Sequence, residues 1–254
     1  MVERSDCRDR FEGRTDGRGE SRRYELVRWA HGSDGSAHRG RGSDATWPKA
    51  RPYHWARPRG DSCAVLPIEK ARQADYVYIL GMYLGDGHIA KTQSTSVLGI
   101  FLDDAHPEIT SRCAATVARV NPFHKVGLQL QESSMTIVRS YGRCWLQLLP
   151  QHGPGRKHER AIVLDPWQRE IVIAEPLTFL RGLIESDGCR FDRVVGGRTY
   201  GAYEFTNLSK DILGLFTWTC DLLGLRYLRP SPVDVSIARR REVSLPDEFI
   251  GPKH

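Results

Sequence analysis

Apolar positions begin to recur at helical spacing near Ile68, where Ile68, Ala71, Tyr76 and Ile79 lead into YILGMYLGDGHI at 78–89, a helix closed by glycine. HIAKTQ and SVLGIFLDD then read as two strands, and a helix follows from about Pro107 to Val120 with Ile109, Cys113, Val117 and Val120 on one face. KVGLQLQ and MTIVRSY predict a second strand pair, followed by a helix, RCWLQLLPQ, that a Gly-Pro-Gly turn ends. The same order then returns. A helix over 177–187, entered through Glu175-Pro176, ends in FLRGLIESDGCR at 179–190; CRFDRVV and GAYEFTN read as strands; Ser209 caps a helix with Ile212, Phe216, Cys220 and Leu223 inward; RYLRP and DVSIARR close the series. Landmarks keep near-constant offsets: Asp86 and Asp187 lie 101 positions apart, Ile109 and Ile212 103, and TIVR at 136–139 precedes SIAR at 236–239 by 100. This pattern predicts an α+β fold made as a tandem pseudo-two-fold repeat of αββαββα, with copies at 66–160 and 161–254.

Residues 1–65 carry neither periodicity. They are rich in Arg, Gly, Ser and Asp, as in RGESRR and HGSDGSAHRGRGSD, and read as a disordered tail. Over the 254 residues, 40% hydrophobic and 9% aromatic content fits a soluble globular protein, and the formal charge of +6 leans towards a polyanionic partner. Much of that excess sits in the tail: residues 1–70 hold 15 Lys+Arg against 11 Asp+Glu, and residues 71–254 hold 22 against 20. Nucleic-acid binding by the repeats therefore has to be argued from where charges sit. The six cysteines form no C-x-x-C pair, the N-terminus has no apolar signal region, and the longest apolar run, around Tyr76 to Leu84, is too short to span a bilayer. The expected location is the cytoplasm, at the nucleoid if DNA is bound, with no membrane partner.

Asp86 and Asp187 pose an electrostatic problem, because each stands at the C-terminus of an apolar helix, where the helix dipole disfavours a carboxylate. Small residues four apart, Gly81 with Gly85 and Gly182 with Ser186, would let the two helices pack backbone to backbone. Paired in parallel about a pseudo-two-fold axis, their ends meet and the aspartates become neighbours. Two carboxylates and two helix C-termini make an anionic spot that a hard divalent cation, Mg²⁺ above all, would neutralise.

The residues I-L-G-M-Y-L-G-D-G and L-R-G-L-I-E-S-D-G resemble the two signature helices of single-chain LAGLIDADG homing endonucleases, a likeness extending over roughly 68–254. That resemblance implies that the helices form the central interface and that Asp86 and Asp187, at the eighth motif positions, bind the catalytic metals. It also implies two saddle-like sheets in the DNA major groove and a staggered double-strand break with short 3′ overhangs. At the sixth motif position Leu84 stands in one copy and Glu185 in the other; that place serves packing in the family. Basic residues at the end of each repeat's last strand would orient the attacking water, and Arg139 and Arg239 are expected to occupy matching places. For DNA contact the candidates are Lys91 and Gln93 in the first half and Arg190, Arg193 and Arg198 in the second. Since the halves differ there, the expected partner is double-stranded DNA with a long, imperfectly palindromic site, taken by a monomer.

Other constellations carry less. His152 and His158 flank GPGRK with no cysteine or carboxylate at zinc-ligand spacing, so this stretch reads as a solvated basic loop. Gly196-Gly197 lacks the Lys-Ser/Thr of a phosphate loop and reads as a hairpin turn, and Trp145, Trp167 and Trp218 read as packing residues. The same fold could bind DNA without cutting it, as a regulator, or assist RNA splicing as a maturase. The two acidic eighth positions favour the nuclease, and no helix-turn-helix is evident in residues 1–70 to favour a regulator.

Overall fold

The computed structural model describes residues 68–131 and 134–251, and the tail expected at 1–65 lies outside the described residues. Helix α1 (Gln73–Asp86) runs into strands β1 (Gly87–Lys91) and β2 (Ser96–Asp103), then α2 (Pro107–Val120), β3 (Val126–Gln131), β4 (Met135–Tyr141) and the single turn α3 (Trp145–Leu148). The second half begins with two consecutive helices, α4 (Pro166–Ala174) and α5 (Pro176–Asp187). It continues through β5 (Gly188–Val195), β6 (Arg198–Thr206), α6 (Lys210–Leu222), β7 (Leu228–Ser231), β8 (Asp234–Ile237) and α7 (Arg240–Phe249). Both sheets are antiparallel and have one order, β1-β2-β4-β3 and β5-β6-β8-β7, so the α+β tandem repeat is present in the topology itself.

Two details differ from the sequence reading. Helix α4 was not anticipated; Pro166 opens it and Pro176 opens the next, each at a position where a missing N–H costs nothing. The last strand is also shorter than DVSIARR, because β8 ends at Ile237 and Arg239 is the N-cap of α7. Register then sets the true correspondence. Gly87 pairs with Ile100, and Ile100 with Val138; Gly188 pairs with Phe205, and Phe205 with Val235. Val138 thus matches Val235, 97 positions on, and the counterpart of Arg139 is Ser236. Arg239 does not occupy the matching place. The offset of 100 paired TIVR with SIAR by composition, whereas the β7–β8 hairpin is shorter than β3–β4, so letters and register part there.

Each sheet turns one face to the helices. Leu98, Ile100, Leu102 and Val138 join the first half of the core, and Tyr203, Phe205, Val235 and Ile237 the second, where Phe205 stacks on Phe216 at 4.4 Å between ring centroids. Alternate positions, Val97 and Ile137 in one sheet and Ala202 in the other, lie outside this core, as strand periodicity requires. Helix α1 is buried continuously from Tyr76 to Leu84, which is why its sequence is apolar on every side. Of the buried hydroxyls there, Tyr76 Oη donates to Leu148 O at 2.7 Å and accepts from Gln168 of α4 at 2.6 Å. The unexpected helix thereby ties the chain segment between the repeats to α1.

Candidate active site at the paired helix ends

Helices α1 and α5 touch through backbone. A Cβ placed on Gly81 would lie 2.8 Å from Phe179 O and 2.9 Å from Gly182 Cα, and one on Gly182 would lie 2.4 Å from Tyr78 O. One turn further on, a Cβ on Gly85 would lie 2.3 Å from Ser186 Oγ and 2.9 Å from Asp187 Oδ2. No larger side chain fits at these places unless the helices separate. The contact sets the Asp187 carboxylate against the last turn of α1, the turn that ends in Asp86.

The two carboxylates are held differently. Asp86 Oδ2 is buried with no hydrogen-bond partner. Asp187 Oδ2 accepts from Asn207 Nδ2 at 2.7 Å, and Asn207 is oriented in turn by the Ser209 N–H, which donates to its Oδ1 at 2.7 Å. A buried, unsatisfied carboxylate oxygen costs free energy unless a cation or donor completes it. Beside it, two oxygen ligands and a helix-end field suit a hard cation that takes its remaining ligands from water and phosphate. No group of three or more His, Cys, Asp or Glu side chains able to hold a metal occurs among the described residues.

A cation of the chain itself also reaches this spot. Lys157 Nζ donates to Tyr83 O at 2.5 Å and Gly85 O at 2.7 Å, two carbonyls at the end of α1, and sits 5.0 Å from the Tyr83 ring centroid. Burial pushes its ammonium down to about 8, Asp187 and then Asp86 work against that, and Arg160 works with it. The loop read as solvated is therefore built around a half-buried lysine. Arg160 fixes that loop by donating to Gln151 O at 3.0 Å and Gly155 O at 2.8 Å, while Gln151 Nε2 binds Gln168 Oε1 at 2.5 Å. Burial lowers the pKa of His88, two residues beyond Asp86, and Lys157 and Arg160 lower it further, so His88 stays neutral near pH 7.

The remaining candidates are scattered. Arg139 lies inside β4 and donates through Nη1 to Gln129 Oε1 at 2.5 Å; Arg239 is exposed at the start of α7. Lys91 ends β1, exposed, near His152, and Gln93 is exposed in the turn after it. Arg190 is engaged with the C-terminal helix, its Nε 2.7 Å from Asp247 Oδ1, and also meets Asp192 Oδ1 at 3.1 Å. Its register places it on the core-facing side with Tyr203. Arg193 and Arg198 are exposed on either side of the Gly196-Gly197 turn, whose positive φ values are those of a two-residue hairpin. Glu185 is buried and accepts from Tyr78 Oη at 2.6 Å, Arg181 Nε at 2.9 Å and Arg112 Nη1. Lys157, Asn207 and Arg160 were not singled out by sequence reasoning. Nothing in their local sequence marks them, since each becomes relevant only through contacts more than four residues distant or across the repeat.

The fold is thus a pseudo-two-fold pair of αββαββα units joined at glycine-lined helices that end in aspartate. In structure the chain is similar to LAGLIDADG proteins: to the homing endonuclease I-DmoI in complex with DNA and Mn (14% identity, 72% of this chain and 99% of that one, TM-score 0.48) and to the LAGLIDADG meganuclease I-AabMI bound to uncleaved DNA (12% identity, 68% and 84%, TM-score 0.45). It is also similar to the N-terminal LAGLIDADG domain of WhiA (13% identity, 71% and 83%, TM-score 0.44). No family model matches the sequence, and no curated protein does. No helix among the described residues is long and apolar enough to cross a membrane.

Proposed function

We propose that this chain is a site-specific double-stranded DNA endonuclease whose phosphodiester hydrolysis depends on a divalent metal held by Asp86 and Asp187. The observation that carries the reading is the buried, unpartnered Asp86 Oδ2 beside a second carboxylate at the junction of two helix C-termini. When bound, Mg²⁺ or another divalent cation supplies charge relief at the scissile phosphate and eases attack by water. The chain's own groups do the rest. Asn207 fixes the rotamer of Asp187 through its 2.7 Å bond. Lys157 Nζ, anchored on Tyr83 O and Gly85 O, keeps a proton and a positive charge at the first helix end at neutral pH. The faces of the two sheets turned away from the helices would lie along the major groove. One chain supplies both aspartates, so a monomer suffices and the two half-sites need not match.

One observation favours a second reading, a DNA-binding protein that does not cut: Lys157 already compensates part of the negative field from within. Replacing Asp86 or Asp187 by Asn separates the two. The nuclease reading expects double-strand cutting in Mg²⁺ to fall by about a hundredfold or more, as for loss of a principal transition-state stabiliser, with DNA affinity and melting temperature in EDTA undiminished. Unchanged cutting by both variants would remove the metal site. Absence of cutting by the wild type, with site-specific binding intact, would leave the binding protein.

A further inference from the structure

Arg139 occupies an unusual place in the first sheet. Its cross-strand neighbour on β2 is Gly99 and on β3 is Gly127, so on both sides the residue opposite it has no side chain. Neither glycine has a positive φ, so the backbone does not require them. Packing does not require them either: a Cβ at Gly127 would meet nothing within 4 Å, and one at Gly99 only Ile137 Cγ2 at 3.4 Å and Phe101 Cε2 at 3.6 Å. By contrast, a Cβ at Gly201 in the second sheet would lie 2.8 Å from Arg190 Nη2. Glycine inside a strand weakens it, and where neither turn nor packing explains it, it marks close approach by something else. Gly99, Gly127 and Arg139 share the face that leads away from the helices, since Ile100 and Val138, next to them, belong to the core.

The bond from Arg139 to Gln129 fixes what that slot can recognise. Arginine only donates, so the amide oxygen of Gln129 must face it, and the Gln129 NH₂ points onward as a second donor. Adenine needs an acceptor for its N6 amine as well as a donor for N7; arginine has no acceptor, and one lone pair of the Gln129 oxygen is committed to Arg139. Guanine presents two acceptors, O6 and N7, side by side. We infer that Arg139, steadied by Gln129, reads a guanine through the slot left open by Gly99 and Gly127. The pair stands away from the chemistry: His88, Gly99 and Arg139 lie in register on adjacent strands, so Arg139 is roughly 10 Å across the sheet from β1 at the usual strand spacing. It is a specificity residue.

This inference rests on the DNA-binding part of the proposed function, and the test keeps the two apart. The full chain and its Arg139→Ala, Arg139→Lys and Gly127→Val variants are each used to select duplexes from a randomised library without metal. The wild type should fix a guanine in one half-site. Arg139→Ala should lose that guanine alone, Arg139→Lys should retain a weakened preference, and Gly127→Val should lose it while keeping Arg139 and its melting temperature. On the selected duplex, 7-deazaguanine at that position should weaken the wild type about tenfold and leave Arg139→Ala unaffected. A guanine preference that survives both Arg139→Ala and Gly127→Val overturns the inference, as does slowed cutting by Arg139→Ala with its affinity and its guanine preference unchanged. Failure of the wild type to enrich any sequence would instead overturn the DNA-binding reading beneath it.

Discussion

The first and second halves share a sheet order and a helix axis, but several matched places around that axis carry different polar side chains. Asp86 keeps an unpartnered oxygen and has Lys157 on the carbonyls of its own helix end, whereas Asp187 is held by Asn207. Leu84 in the first helix corresponds in motif position to Glu185 in the second, which binds Tyr78, Arg112 and Arg181. On the outer sheet face, Gly99 and Arg139 in one half correspond to Glu204 and Ser236 in the other. What is common is therefore what backbone contact and the two carboxylates demand, and what differs is the side chains around them and on the outer sheet face. The arrangement keeps symmetry where the two helix backbones touch and drops it in the side chains that surround them.

Breaking the shared axis should have the largest effect. Gly182→Val puts branched carbon where even a Cβ would lie 2.4 Å from Tyr78 O, a backbone atom that cannot rotate away. Separating the helices would also disturb the core on both sides. We expect a loss of about 4 kcal/mol or more, at the far end of overpacking effects, read as failure to show a cooperative thermal transition. A melting temperature within a few degrees of the wild type would mean that the helix pair is looser than its geometry.

The asymmetric member of the pair, Glu185, sharpens the comparison next. Its side chain is 3% exposed while Arg112 and Arg181 are 34% and 22% exposed. Glu185→Ala strands two guanidinium groups that can partly reach water, so the cost should be about 2–3 kcal/mol, below that of breaking a fully buried pair. Glu185→Leu combined with Arg112→Met and Arg181→Met, which gives both helices the apolar sixth position of the first, should recover most of it. Equal destabilisation in urea by the single and the triple variant would show that shape, not charge pairing, matters there.

Much of this organisation was legible in the sequence because it depends on short-range periodicity. The αββαββα order, the small residues at 81, 85, 182 and 186 and the Asp-Gly ends were readable from spacing, and close helix approach follows from residue size. What was not legible depends on register and on long-range contact. Arg239 resembles Arg139 in its local letters, yet a shorter hairpin moves it out of the strand and into a helix cap. Lys157 lies in a Gly-Pro-Gly stretch that carries every mark of a surface loop; only Arg160 and the Gln151–Gln168 bond, made across the chain, turn it inward. Arg190 has the composition of a DNA contact, but its partner Asp247 is 57 positions away.

The smallest expected effect tests how glycines are read in the two halves. Gly214 stands inside α6, where Ser111 stands at the matched place in α2, and a Cβ there would meet nothing within 4 Å. Replacing it with alanine removes backbone freedom from the unfolded chain and adds no clash, so Gly214→Ala should stabilise the protein by about 0.5–1 kcal/mol, seen as a rise in melting temperature with DNA binding unchanged. Gly127 has the same open surroundings but lies beside Arg139. There Gly127→Ala should also hold or raise the melting temperature, while affinity for the selected duplex falls. A glycine kept only by chance can be filled without loss of function; one kept for a ligand cannot. If both alanines stabilise and neither weakens binding, Gly127 is as incidental as Gly214 and the slot beside Arg139 has no occupant.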